Sequence, residues 1–223
     1  MPMPRASLVV VLNEIIRRNR IVEGMVYLQV SRGVAPRDHF FPVDTPPSIV
    51  ITAKPVDREA AARKAEAGMK AISAPDIRWG RCDIKTVGLL PNVLAKQAAK
   101  EQGAGEVIFV DRDGYVTEGG STNVYIVEDG VIKTRSLKAN ILAGVTRLNL
   151  LSIIRESGLE IREESFTLDQ AKAAQEVFVT AATSLVMPIV AIDGMPIGNG
   201  APGLIASGLR ESYIERARAT AGT

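Results

Sequence analysis

The sequence predicts an α+β fold whose sheet is largely antiparallel. Short β-rich runs are joined by tight-turn signals at Arg112-Asp113-Gly114 and Glu128-Asp129-Gly130. Stretches of helical period are mixed among these hairpins rather than alternating regularly with strands. With 223 residues, 46% of them hydrophobic and 23% charged, the chain buries a core without disulfide staples.

The elements follow in order. Residues 6–19 (ASLVVVLNEIIRRN) read as an amphipathic helix, with Leu8, Leu12, Ile15 and Ile16 near one face and Arg17, Arg18 and Arg20 at its end. Met25 to Val30 is a strand, broken by Arg32-Gly33 and Ala35-Pro36, and Ser48 to Ala53 is a second strand. Residues 54–66 are charged and Ala-rich, a helical or linker run, and a boundary falls there. We expect residues 1–60 to form a partial, small N-terminal α/β domain and residues 61–223 a larger C-terminal domain.

In the larger part, Pro91 sits in the first turn of a helix over 91–103 and Gly103 marks its end. Glu106 to Val110 pairs with Tyr115 to Thr117, and Asn123 to Val127 turns into Val131 to Thr134. A helix over 145–157 stops at Gly158. Thr167 caps a helix over 166–174, with Asp169 in its first turn. Glu176 to Ala181 and Met187 to Ile192 are strands, and the last helix covers roughly 204–220.

Composition excludes several classes. One cysteine, Cys82, forms no internal disulfide framework and no multi-Cys zinc site, and one histidine, His39, rules out His-rich metal chemistry. No metal is expected. No apolar run approaches the roughly 20 residues that span a bilayer. The opening Met1-Pro2-Met3-Pro4-Arg5 is soon followed by Asn13, Glu14 and Arg17, unlike a signal peptide. A net charge of +2 and 4% aromatics argue against a nucleic-acid partner. The default is a cytoplasmic protein that binds a small molecule and has no membrane partner.

Four segments carry chemistry. Asp83-Ile84-Lys85 lies beside Gly88-Leu89-Leu90, and a lysine in apolar surroundings suits Schiff-base chemistry. Thr117-Glu118-Gly119-Gly120-Ser121-Thr122-Asn123 sets one carboxylate among small residues and donors. Leu142-Ala143-Gly144-Val145-Thr146-Arg147 opens a helix whose free amides can hold a phosphate. Thr180-Ala181-Ala182-Thr183-Ser184 is small and hydroxyl-rich after a strand. Each alone also fits a plainer role: a surface lysine, a polar loop, an ordinary helix start, tight packing.

Their order and wording together resemble the fold-type IV enzymes that use pyridoxal 5'-phosphate: the D-amino-acid transaminases, branched-chain aminotransferases and aminodeoxychorismate lyases. The resemblance runs from about residue 8 to the C-terminus and is most specific over Arg78 to Gln97 (RWGRCDIKTVGLLPNVLAKQ). It implies a two-domain fold with a mostly antiparallel, barrel-like sheet and helices in the C-terminal, cofactor-binding domain. It makes Lys85 the lysine that holds the cofactor as a Schiff base and shuttles the proton, and Glu118 the carboxylate facing the pyridine nitrogen, whose protonation makes the ring an electron sink. Val145 and Thr146 match the phosphate cup and Leu142 the residue packed on the ring. Ser121, Thr122 and Asn123 match those holding Glu118 and the ring from behind. Counted back from Pro188, the family's phosphate-binding threonine falls on Ala182, so either backbone amides absorb the shift or Thr183 substitutes. Ala182, Thr183 and Ser184 are expected at the substrate.

Within the family, Arg32-Gly33 followed by Pro36-Arg37-Asp38-His39 is similar to the D-amino-acid transaminases, where an arginine and a histidine on this loop trap the substrate α-carboxylate. The resemblance implies that Arg37 and His39 reach the active site of the other subunit of a homodimer. The expected reaction moves an amino group between D-amino acids, D-alanine among them, and 2-oxo acids by a ping-pong cycle. A branched-chain or other class IV aminotransferase, or an aminodeoxychorismate lyase, is the alternative. Members of the family begin with strands and a helix upstream of the match to Ala6–Asn19, including an arginine on the cofactor phosphate. A truncated, weakly active cofactor-binding form is therefore the third expectation.

Overall fold

The computed structural model describes residues 2–221. The chain divides into two compact units, Met1–Ala61 and Ala62–Thr223. The first contains helix α1 (Arg5–Arg18) and a hairpin of β1 (Gly24–Ser31) and β2 (Ser48–Pro55), paired antiparallel from Gly24 opposite Pro55 to Ser31 opposite Ser48. Glu14 accepts from both Arg17 and Arg18, fixing the last turns of α1. Residues 32–47 form the long connection between the two strands. Helix α2 (Arg58–Ala67) follows, its first turn capped where the Asp57 carboxylate accepts the Ala60 N–H at 2.8 Å.

The second unit is built on a sheet of nine strands among the described residues: β3 (Met69–Pro75), β4 (Glu106–Val110), β5 (Val116–Gly119), β6 (Asn123–Glu128), β7 (Val131–Thr134), β8 (Ile161–Arg162), β9 (Glu176–Ala181), β10 (Leu185–Ile192) and β11 (Met195–Pro196). Their order is β5-β4-β3-β10-β9-β6-β7-β8, with β11 paired to β10. Antiparallel pairing predominates, as the hairpin signals imply. Asp129 (φ 50°) and Gly130 (φ 77°) both occupy the left-handed region, the geometry a two-residue hairpin needs. Strand β3 has no counterpart in the sequence reading, and it pairs parallel with both β4 and β10. The sheet is therefore mixed, with a third parallel pairing between β7 and β8.

Helices α3 (Leu90–Glu101), α4 (Val145–Glu156), α5 (Leu168–Ala173) and α6 (Leu204–Ala221) complete the unit. Helix α5 begins with a reciprocal cap: the Thr167 hydroxyl accepts the Gln170 N–H, and the Gln170 side chain accepts the Thr167 N–H. Strand β6 shows how the core is divided. Val124 and Ile126 pack with Val177, Val179, Phe166 and Ala171, whereas Tyr125 and Val127 pack with Phe178, Leu150, Ile154 and Leu209. The strand's two-residue period thus buries both of its faces. Tyr125 lies opposite Phe178 in the ladder, and their rings stack 4.7 Å apart at 7°. A smaller cluster seats Ala99 of α3 on Ile72, Val107 and Phe109. This packing fixes the end of β5, the start of β6 and the N-terminus of α4.

Candidate active site

A cavity of about 980 Å³ opens in the second unit among those three element ends, the loop after β3 and helix α3. Glu118 enters it from β5, a strand buried along its whole length. Its side chain is 6% exposed. Oε2 accepts the Leu142 N–H at 3.1 Å and faces the Asn123 amide at 3.5 Å, while Oε1 accepts from Arg78. Burial raises the Glu118 carboxyl above its ordinary value, and Arg78 and the Leu142 N–H oppose that shift only in part. Asn123, the first residue of β6, also donates to the Leu142 carbonyl at 2.9 Å. Glu118, Asn123 and Leu142 are thereby locked as a set.

Helix α4 presents its N-terminus to the cavity through Gly144, Val145 and Thr146, and no side chain caps it. The first-turn amides have no partner within the helix. A side chain at Gly144 would displace its neighbour, because a Cβ there would lie 2.4 Å from Asn123 Oδ1. The Thr146 hydroxyl belongs to a buried residue, 3% exposed, on the cavity wall. Lys85 lines the same cavity from the loop between β3 and α3, where it is exposed. Ser121 and Thr122 line it from the turn after β5.

The structure thus brings Lys85, Glu118, Ser121, Thr122, Asn123, Leu142, Val145 and Thr146 around one space, joined by Ala182 from the β9–β10 turn. Thr183 and Ser184 do not line it; Thr180 and Ala181 take that part of the wall. The turn bends so that the Ser184 carbonyl accepts from Arg210 of α6 at 2.6 Å. Arg37 and His39 belong to the first unit, where both are exposed on the 32–47 connection. The His39 N–H donates to the Asp38 carboxylate at 2.6 Å, and the Arg32 guanidinium lies 4.0 Å over the Phe41 ring.

Two groups escaped sequence reasoning, and in each the basic residue, Arg78 or Lys96, lines the cavity. Arg78 and Asp76 form an ion pair behind Glu118, and Glu106 with Lys96 supports the Gly119-Gly120 turn. The one local signal for the first pair was an acid and a base two residues apart, which extended backbone sets on one side.

Residues 1–192 match the amino-transferase class IV family. The chain belongs to the class IV aminotransferases. These enzymes depend on pyridoxal 5'-phosphate. The chain is 43% identical over 192 residues to the D-alanine aminotransferase of Bacillus licheniformis, covering 86% of this chain and 67% of that protein. It is 42% identical over 208 residues to the D-alanine aminotransferase of Staphylococcus haemolyticus, covering 93% and 73%. Among solved structures, the branched-chain amino acid aminotransferase of T.th. with pyridoxamine 5'-phosphate superposes with a TM-score of 0.84 at 29% identity, over 96% of this chain and 72% of that one. The branched-chain enzyme of Escherichia coli shares the fold, with a TM-score of 0.84 at 23% identity over 96% and 72%.

The cavity of this aminotransferase fits the cofactor. An uncapped helix N-terminus suits a phosphate, a buried carboxylate with free acceptor capacity suits a protonated ring nitrogen, and the glycine at 144 lets the helix start lie close against Asn123. No group of three or more metal-ligating side chains occurs among the described residues. No described helix is long and apolar enough to cross a membrane.

Proposed function

We propose that this chain transfers the amino group between D-amino acids, D-alanine among them, and 2-oxo acids in a ping-pong cycle. The observation that carries this reading is the 43% identity to a D-alanine aminotransferase. Pyridoxal phosphate, when bound, supplies an electron sink for the pair released at the substrate Cα. In our reading Lys85 Nζ holds the cofactor, then takes the proton from the substrate Cα and delivers it to C4′. Glu118 holds the proton on the ring nitrogen. The α4 N-terminus, Val145 and Thr146 bind the phosphate, and Leu142 packs on the ring. Ser121, Thr122 and Asn123 hold the ring and its carboxylate in register.

Arg37 and His39 are the proposed receptors of the substrate α-carboxylate, contributed across a homodimer. The exposed apolar side chains Ile77, Trp79, Leu90 and Val93 of the second unit support self-association. We place the enzyme in the cytoplasm, in keeping with its single cysteine. A second reading, a branched-chain aminotransferase, is favoured by the superposition on branched-chain enzymes.

The deciding experiment loads the purified protein with pyridoxal phosphate and supplies 2-oxoglutarate with D-alanine or with L-leucine. Amino transfer from D-alanine, absent in Lys85→Ala, is the expected result. Transfer from L-leucine alone would overturn the D-specific reading. Sedimentation velocity tests the dimer.

A further inference from the structure

One guanidinium is shared by two carboxylates at the back of the site. Arg78 Nε and Nη2 donate to Asp76 Oδ1 and Oδ2 at 2.9 and 2.6 Å, a two-pronged pairing. Nη1 alone is left for Glu118 Oε1. The pairing is held on every side. The Thr117 hydroxyl donates to Asp76 Oδ2 at 2.7 Å, and the Arg78 N–H donates to Asp76 Oδ1 at 3.2 Å. The Asp76 N–H donates to the Val110 carbonyl at 2.8 Å, and the guanidinium lies 4.6 Å over the Phe109 ring. The Arg78, Asp76 and Glu118 side chains are 7%, 13% and 6% exposed.

One cation between two carboxylates leaves a net negative charge in a buried place, which is unfavourable until a cation joins it. We propose that Asp76 is a positioning residue: by engaging Arg78 with both prongs, it restricts Arg78 to a single bond with Glu118 and keeps the Glu118 carboxylate available to the protonated ring nitrogen of the cofactor. The inference rests on the reading of Glu118 as the ring-nitrogen partner. Without Asp76, the planar guanidinium turns its two-pronged edge to Glu118 and neutralises it.

The surroundings agree. Burial first, and the Asp76 charge in addition, raise the Glu118 carboxyl, against the pull of Arg78 and the Leu142 N–H. Its neighbours also include the neutral Asn123 amide and the Cys82 thiol, which burial pushes up. Asp76 itself is held below the ordinary range: burial works against its charge, but Arg78 and Thr117 outweigh burial.

The test is a binding ratio rather than turnover. Cofactor-free protein is titrated, by fluorescence quenching, with pyridoxal 5'-phosphate and with its 1-deaza counterpart, whose ring nitrogen is replaced by CH. The native protein prefers the nitrogen ring by about tenfold or more, the weight of one pKa unit. In Asp76→Asn that preference shrinks to within about threefold while affinity for the carbon ring is kept, and Asp76→Glu restores most of it. An unchanged ratio in Asp76→Asn, or a parallel fall in both affinities, overturns the proposal. If Asp76→Asn does not fold, Thr117→Val reads the same ratio: a drop supports the role and no change overturns it. Glu118→Gln separates the two levels. If it keeps the native preference, the ring-nitrogen assignment fails and the proposal with it. If it loses the preference while Asp76→Asn retains it, the role of Asp76 alone is overturned.

Discussion

Glu106, at the start of β4 and 2% exposed, accepts the Gly120 N–H at 3.2 Å. The same carboxylate accepts from its neighbour Val107 N–H at 2.9 Å and from the Thr122 hydroxyl at 3.3 Å, and Lys96 Nζ lies 3.0 Å from it. Asn92 of α3 completes the hold by donating to the Gly120 carbonyl at 2.9 Å. The turn carrying Ser121 and Thr122, with Glu118 just before it, is therefore clamped by a buried carboxylate outside the cavity lining.

Removing that clamp loosens the turn without touching a ligand. We expect Glu106→Ala to lose about 2 kcal/mol of stability, the scale of hydrogen bonds to a charged group. Lys96 keeps the Gly105 carbonyl at 2.6 Å and reaches solvent, so no cation is stranded. Cofactor affinity falls about tenfold with it, as Glu118 and Ser121 lose their register. Urea unfolding of the cofactor-free protein and a pyridoxal phosphate titration measure the two effects separately.

Gly144 tests the join between the carboxylate and the phosphate cup. In Gly144→Ala the new methyl meets Asn123 Oδ1, which must move off and release the Leu142 carbonyl. The backbone itself is unstrained there, at φ −63°. We expect a stability loss of about 1 kcal/mol and a larger effect on binding, with cofactor affinity down about tenfold or more. Gly144→Ala combined with Asn123→Ser relieves the clash and recovers part of that affinity. A variant with unchanged affinity would show that Asn123 does not order the cup.

Hairpins and capped helices were legible because their signals are local. Asp129-Gly130 supplies the positive φ angles its turn requires, and Thr167 with Gln170 caps α5 from three residues away. Strand β3 was not legible. Its sequence MKAISAP lacks aromatic residues and strong alternation, and its neighbours β4 and β10 supply the pairing from far along the chain. The site divides the same way. Glu118, Asn123 and Thr146 stand in recognisable segments, whereas Arg78 meets Glu118 across 40 positions and Glu106 meets Gly120 across 14. Thr183, expected to substitute in the phosphate pattern, stands in the β9–β10 turn beside Ala182, which lines the cavity, and Ser184, whose carbonyl accepts from Arg210 of α6.

Asp193 gives the fold an acid limit. It sits at φ 50° in the β10–β11 turn, and its carboxylate accepts the Ser73 N–H at 2.6 Å and hydroxyl at 2.7 Å, with Lys172 Nζ at 2.8 Å. Burial works against the charge, but Lys172 and Ser73 outweigh it and hold the carboxyl below its ordinary range. A carboxyl lowered in the folded state adds stability above its unfolded pKa of about 3.9, and that stability is lost as pH falls through the folded value. Asp193→Asn, which tolerates the same backbone, is expected to be less stable than the native protein at neutral pH. The gap in urea midpoint closes as pH drops below about 4. A gap that stays constant down to pH of about 2 would show that the charge does not act.

Arg37 distinguishes the two substrate readings. It is exposed on the 32–47 connection, so Arg37→Ala is expected to leave the unfolding midpoint within about 0.5 kcal/mol of native. A guanidinium that clamps a substrate carboxylate contributes a charge-assisted pair, and losing such a pair weakens binding by about 2 to 3 kcal/mol. KM for D-alanine therefore rises roughly 30- to 150-fold, with a smaller fall in kcat, while cofactor affinity is retained. Arg37→Lys recovers only part of the loss, because an ammonium cannot engage both carboxylate oxygens in one plane. Should KM for D-alanine stay at its native value in Arg37→Ala, the carboxylate is bound elsewhere and the D-amino-acid reading loses its receptor.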